Sequence, residues 1–306
     1  MRPIGDRLDW QRDGSIWPHR EASQFLRTEN HLWHVQIFGR DDAPLALLLH
    51  GTGAASHSWR NLAPLLARDF RVVVPDLPCH GFTRAISRAD LSLPGMVQAI
   101  SELQRHLGRA PAMIIGHSAG AAIAVALAAG RTSASAQTVP RHVVGINGAF
   151  LPIRGNALFS PMAKAMFVNP FTPALFSLLA RATPLGGNLL TATGSPIDEA
   201  GKAVYRLLLG TPDHVRGALG MMANWDLARF DTRLQRLAFP MTLIVAKDDP
   251  MVPPRNAYHA ARIATGSRLI TSETGGHLLH ECRAEQVAGW IAEVIKDKQP
   301  EGADAA

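Results

Sequence analysis

A chain of 306 residues, 47% hydrophobic and 18% charged with a formal net charge of +6, is composed like an ordinary soluble globule: one large domain with an insertion, or two modest domains. Two cysteines, Cys79 and Cys282, cannot build a disulfide framework and point to a reducing, cytoplasmic compartment. The basic residues form no cluster dense enough for a nucleic-acid arm and accompany no nucleic-acid motif, which argues against that partner class.

Residues 1–13 carry charges of both signs and no apolar run, so no signal peptide is expected. Strands are expected over 23–27 and 32–36, the second alternating in polarity. His31 and His34 there are read as surface residues. Leu45–Leu49 is purely apolar, the pattern of a strand buried on both faces. Residues 72–74, 113–115, 143–146 and 241–245 repeat it. Helical faces separate these runs: Leu62, Leu65 and Leu66, then Met96, Ile100, Leu103 and Leu107. The uncharged stretch 111–130 could suggest a membrane span. Its centre is a glycine turn, however, so a buried strand, tight turn and Ala-rich helix are expected instead. Strands alternating with helices make βαβ units and a mostly parallel sheet.

From 151 to 230 the alternation stops. Five Ser/Thr-Pro pairs, at Ser160, Thr172, Thr183, Ser195 and Thr211, each read as an N-cap hydroxyl with proline in the first helical turn. This segment is expected to be a helical cap over a pocket, with 1–150 and 231–306 forming the core. Met166, Phe167, Met222 and Trp225 are its candidate substrate contacts, although packing between cap helices would also use such residues. A strand at 267–270 and a closing helix at 285–295 complete the core.

Gly116-His117-Ser118-Ala119-Gly120 is a G-x-S-x-G between a strand and a helix. A serine on so sharp a turn needs neighbours without side chains. The Ala119 N–H then lies at a helix N-terminus, where it can stabilise developing negative charge. Ser118 needs a base, and His277 in Gly275-Gly276-His277 is the candidate. His277 needs a carboxylate, and Asp249 is favoured over its neighbour Asp248 by its spacing to Val252-Pro253. His50-Gly51-Thr52-Gly53 supplies the second oxyanion donor, assigned to Thr52. The order Ser, Asp, His is that of the α/β hydrolases. No metal or organic cofactor is expected: His280, three residues after His277, lacks a third ligand nearby and is read as a structural hydrogen-bonding histidine.

Several longer runs are more specific. Leu48-Leu49-His50-Gly51-Thr52-Gly53-Ala54 with Ser58-Trp59-Arg60, Pro75-Asp76-Leu77-Pro78, His80-Gly81-Phe82-Thr83 and the serine motif resemble the magnesium-chelatase accessory α/β hydrolases of bacteriochlorophyll synthesis (BchO type). So do the leader, Asp9-Trp10 through Arg20-Glu21-Ala22-Ser23, and the run Met221-Met222-Ala223-Asn224-Trp225-Asp226-Leu227. Two positions depart from that pattern: Cys79 and Ala246 stand where glycine is usual. The resemblance implies a serine hydrolase serving magnesium-porphyrin metabolism, with a small hydrophobic substrate such as a tetrapyrrole. It also implies chelatase subunits as candidate partners and a peripheral contact with the photosynthetic membrane. Two alternatives stay open: a tetrapyrrole-binding accessory factor without turnover, and a general carboxylesterase or carbon–carbon bond hydrolase.

Overall fold

The computed structural model describes residues 6–86, 89–130, 142–152 and 169–296. Nine strands form one sheet: β1 (Ser23–Arg27), β2 (His31–Phe38), β3 (Leu45–Leu49), β4 (Arg71–Pro75), β5 (Arg84–Ala85), β6 (Met113–His117), β7 (His142–Ile146), β8 (Met241–Ala246) and β9 (Arg268–Ser272). Their order is β1-β2-β4-β3-β6-β7-β8-β9, with β5 beside β2. From β4 to β9 every pairing is parallel, while β1, β2 and β5 pair antiparallel.

The apolar runs sit where their composition directs them: every residue of β3, β6, β7 and β8 is buried. The described α-helices of the first half are α1 (Trp10–Asp13), α2 (Ala63–Leu66), α3 (Leu93–Leu107) and α4 (Ala119–Ala129). Ala119 to Ala128 are all buried in α4, whose small side chains let it lie close against β6 and β7. Each fully buried Ile, Val or Leu here contributes roughly 1.5–3 kcal/mol. No helix among the described residues is long and apolar enough to cross a membrane.

Between β7 and β8 come α5 (Thr172–Ala182), α6 (Leu185–Thr191), α7 (Glu199–Leu209), α8 (Pro212–Asn224) and α9 (Phe230–Gln235). The chain closes through α10 (Arg255–Ile263), α11 (Leu279–Cys282) and α12 (Ala284–Lys296).

Two expectations are corrected. Among the described residues only the Thr183 hydroxyl caps as read, accepting from the Leu185 N–H at 3.3 Å; the others do not. Ser160 lies outside the described residues; Thr211 holds the N-cap position of α8 without a side-chain cap bond, and its hydroxyl donates back to the Leu207 carbonyl at 2.8 Å. Thr183, while capping, also donates to Leu179 at 2.7 Å. The cap of α7 is Asp198 instead, accepting from the Gly201 N–H at 2.6 Å. Neither His31 nor His34 is a surface residue: both are buried, and His34 is fully buried. The leader covers His34, with the Trp10, Trp17, Phe25 and Phe82 rings packed around its imidazole. A strand second from the sheet edge is exposed only if nothing folds over it.

Candidate active site

Ser118 follows β6, Asp249 follows β8, His277 follows β9 and Thr52 follows β3, so all four lie at C-terminal strand ends, where an open α/β sheet presents ligands. Ser118 has φ +52° and ψ −117°, a strained conformation for a residue with a side chain. The turn closes only because its neighbours are glycines. A Cβ on Gly116 would lie 2.3 Å from the Gly120 carbonyl oxygen, and one on Gly120 would lie 2.1 Å from that of Leu49. Backbone bonds then hold it: Ser118 N–H donates to Ile146 at 3.0 Å, and the Ser118 carbonyl accepts from Ala121 and Ala149, each at 3.1 Å. A Cβ on Gly51 would come within 3.0 Å of the Ser118 Cβ, so the loop bearing Thr52 abuts the serine.

His277 Nδ1 lies 2.8 Å from Asp249 Oδ2. The other Asp249 oxygen accepts the N–H groups of Met251 and Val252 at 2.8 and 2.9 Å, which fixes the carboxylate's plane. Asp248 faces elsewhere, accepting from Gly275 and Gly276 N–H at 3.1 and 2.9 Å; it shapes the loop that carries His277. With Nδ1–H committed to Asp249, Nε2 of a neutral His277 is an acceptor.

Several partners of this loop carry no local sequence signal. Asn147, at φ +44° after β7, donates its amide to the carbonyls of Gly276 and His277, each at 2.9 Å, and accepts from Ala246 N–H at 2.9 Å. His117 Nε2 is 2.8 Å from the same His277 carbonyl, and the two rings lie 4.7 Å apart. Ser195, read as a helix cap, donates its hydroxyl to the Gly275 carbonyl and accepts from Leu278 N–H, both at 2.8 Å. The neighbouring Thr193 carbonyl accepts from His277 N–H at 2.8 Å. The segment between β7 and β8 therefore builds one side of the His277 loop.

His280 was expected to be hydrogen-bonded; neither ring nitrogen has a partner in the structure. Its ring instead packs 4.3 Å from that of His117 and 4.5 Å from Trp59. Burial holds His117 and His280 well below the usual histidine range, and the neighbouring His277 adds to the effect. Both are neutral rings packed beside His277. Among the described residues no cluster of three His, Cys, Asp or Glu side chains is arranged around a metal position.

Of the candidate substrate contacts, Met166 and Phe167 lie outside the described residues. Met222 and Trp225 are half-buried, at the end of α8 and just past it. The adjacent Met221 is fully buried, and its sulfur accepts from the Thr52 hydroxyl at 3.4 Å; one helical position, about 100° of rotation, separates the two methionines.

Asp76, just past β4, is a further buried carboxylate, to which the sequence assigns no role. It accepts from His34 Nδ1, Ser56 N–H and Phe82 N–H at 2.8, 2.7 and 2.8 Å. Burial pushes its carboxyl up, but His34 and these N–H groups outweigh it and hold the group well below the ordinary carboxylate range.

Residues 46–290 match the alpha/beta hydrolase family, and the chain belongs to it. Within that family it is similar over most of its length to the magnesium-chelatase 30 kDa subunit of Rhodobacter capsulatus, with 42% identity covering 92% of this chain and 96% of that one. A pimeloyl-[acyl-carrier protein] methyl ester esterase of Neisseria meningitidis is 26% identical, covering 81% and 92%. Among solved structures, the enol-lactonase of Burkholderia xenovorans LB400 superposes with a TM-score of 0.70 at 18% identity, covering 89% of this chain and all of that one. A thermophilic esterase from Thermogutta terrifontis gives 0.69 at 19%, covering 90% and 98%. At such identity these two show the fold.

Proposed function

We propose that this chain is a serine hydrolase acting on an ester or related bond beside magnesium chelatase in bacteriochlorophyll synthesis. The observation that carries the catalytic half is the 2.8 Å His277–Asp249 bond, taken with a serine held at φ +52°. Ser118 Oγ attacks the acyl carbon as His277 Nε2 takes its proton. Asp249 keeps the tautomer and stabilises the imidazolium, and the Thr52 and Ala119 N–H groups receive the oxyanion. His277 then protonates the leaving group, and water cleaves the acyl-enzyme by the same route. The 42% identical relative's name supports the metabolic half, with a tetrapyrrole as the small hydrophobic substrate and chelatase subunits as partners.

The helices between β7 and β8 act as the cap. Phe171, Leu175, Leu178 and Leu179 of α5 and its entrance are exposed, and Arg181 is the one charged residue between Asn169 and Ile197. Such a face on a basic protein supports peripheral contact with an anionic membrane, which flotation with anionic vesicles would read.

The deciding experiment is intact-mass detection of fluorophosphonate labelling. One adduct on the wild type and none on Ser118→Ala is the expected result. A folded but unlabelled wild type would remove the catalytic reading in favour of a tetrapyrrole-binding accessory factor. Labelled protein whose Ser118→Ala variant still restores pigment in a deletion strain would show that turnover is not what the pathway needs.

A further inference from the structure

The backbone around Thr52, in the loop after β3, is held from outside by α8 of the insertion. Gly51 and Gly53, the latter at φ +78°, flank Thr52 and leave its backbone wide conformational freedom. Part of that freedom is removed locally: the Gly51 carbonyl accepts from His50 Nδ1 at 2.8 Å and from Ala54 N–H at 3.2 Å. The Gly53 carbonyl is held by α8, where His214 Nε2 lies 3.1 Å away.

The His214 ring is buried and bonded on both sides. Its Nδ1 accepts the Gly81 N–H at 3.1 Å, so Nε2 must carry the hydrogen and donate to Gly53. Burial lowers His214 to about 4, which keeps this tautomer in place across the neutral range. His214, Ala218 and Met221 recur at helical spacing on one face of α8. Ala218 Cβ would lie 4.0 Å from a Cβ on Gly53, and Met221 takes the Thr52 hydroxyl. The helix can come this close because Gly217 has no side chain: a Cβ there would sit 2.0 Å from the Cys79 carbonyl oxygen.

We propose that His214 is a positioning residue for the oxyanion hole, a cap-borne imidazole whose bond to the Gly53 carbonyl sets the Thr52 backbone, so that the hole is complete only with α8 docked. This rests on the serine-hydrolase reading above. It makes catalytic competence a property of the cap as well as of the core. A cap that lifts to admit substrate would loosen the oxyanion loop, and closing over the substrate would rebuild it.

The test compares wild type with His214→Ala, His214→Asn and His214→Gln. Three quantities are read: turnover of p-nitrophenyl acetate, the fluorophosphonate inactivation rate, and affinity for a trifluoromethyl ketone, which forms a tetrahedral adduct. Removing an oxyanion donor outright costs about 100- to 1,000-fold in kcat; a donor still present but displaced should cost less, about 10- to 100-fold. His214→Ala is expected to lose that factor in kcat and in ketone affinity together, with KM within about threefold of wild type. Asparagine keeps the acceptor for Gly81 but is too short to reach Gly53, and should behave like alanine. Glutamine can present both groups and should recover most of the loss. If alanine prevents folding, the Asn and Gln pair decides the matter alone. Variants with wild-type kcat and ketone affinity, or a loss confined to KM, would overturn the positioning role. An unlabelled, inactive wild type would instead sink the serine-hydrolase reading, and this role with it.

Discussion

Arg60 holds the insertion to the core, and removing its charge should be costly. Its side chain is 6% exposed; Nη1 lies 2.5 Å from Glu281 Oε2, and Nη2 lies 2.8 Å from Asp198 Oδ1. Glu281, wholly buried at its side chain, also accepts from the Tyr205 hydroxyl at 2.6 Å. Asp198 and Tyr205 belong to the start and body of α7, Arg60 and Glu281 to the core. Arg60→Met retains the packing of the aliphatic stem but strands Glu281 with the tyrosine hydroxyl alone. Breaking a buried pair in this way costs about 3–5 kcal/mol, whereas the half-exposed Asp198 adds less than about 1 kcal/mol. For a chain of this size the melting temperature should fall by on the order of 10 °C. Burial pushes Glu281 up to about 7 against the pull of Arg60 and Tyr205, so its contribution is present below pH 4.5 and is lost as pH rises through 7. Without Arg60 the carboxyl rises further, and the variant keeps losing stability above pH 7 where wild type has levelled off. Differential scanning calorimetry from pH 6 to 9 should therefore show a gap that widens with pH. Arg60→Met/Glu281→Leu should recover most of the loss, since an apolar pair leaves no stranded charge. A single variant melting within about 2 °C of wild type at pH 7 would refute the dependence of Glu281 on Arg60.

Asp249→Asn should lower kcat by about 10,000-fold with little change in KM, because the asparagine amide reverses the tautomer of His277; Asp248→Asn, which weakens acceptors for two loop N–H groups, should cost far less, and steady-state ester hydrolysis separates the two. Asp76→Asn should destabilise by about 3 kcal/mol at neutral pH. Because the Asp76 carboxyl is held low in the fold, its contribution is present above the ordinary value near 3.9 and fades as pH falls below it; urea melts at pH 7 and pH 3 should show the deficit shrinking in acid. Cys79 sits at φ +61°, where any side chain costs about 1–2 kcal/mol. Cys79→Gly should be neutral or raise the melting temperature slightly, and the β-branched Cys79→Val should lower it clearly.

Much of the core was legible because a strand buried on both faces leaves a local trace. Residues 113–115 and 143–146 announce β6 and β7 by being apolar throughout, and a glycine-flanked serine between strand and helix announces the turn at Ser118. Cys79 shows how far such reading reaches. The sequence marks it as a departure from glycine, and the structure supplies the reason, a left-handed residue against which Gly217 packs. The fate of His34 was not legible, because alternation along β2 says which way a side chain points but not whether a leader will fold over that face. The Ser/Thr-Pro pairs at Ser195 and Thr211 mislead for a related reason. A hydroxyl before proline has several equivalent backbone partners, and only the packed structure decides among them.

The divide within the site follows the range of the interaction. Ser118, Asp249 and His277 each stand in a turn whose glycines or prolines shape it locally, and so each can be picked out alone. Asn147, His117 and Ser195 act on the His277 loop across 130, 160 and at least 80 positions of chain, and nothing beside them in the sequence records the partner. His214 is the clearest case. It stands in an amphipathic helix as an unremarkable polar residue, and only the approach of α8 to the Gly53 carbonyl gives it a bearing on chemistry at Ser118. Candidate triad residues can be picked out from motifs, then, while the groups that hold the His277 loop in place are defined by the fold. That is where substitutions distant in sequence should alter kcat without touching substrate.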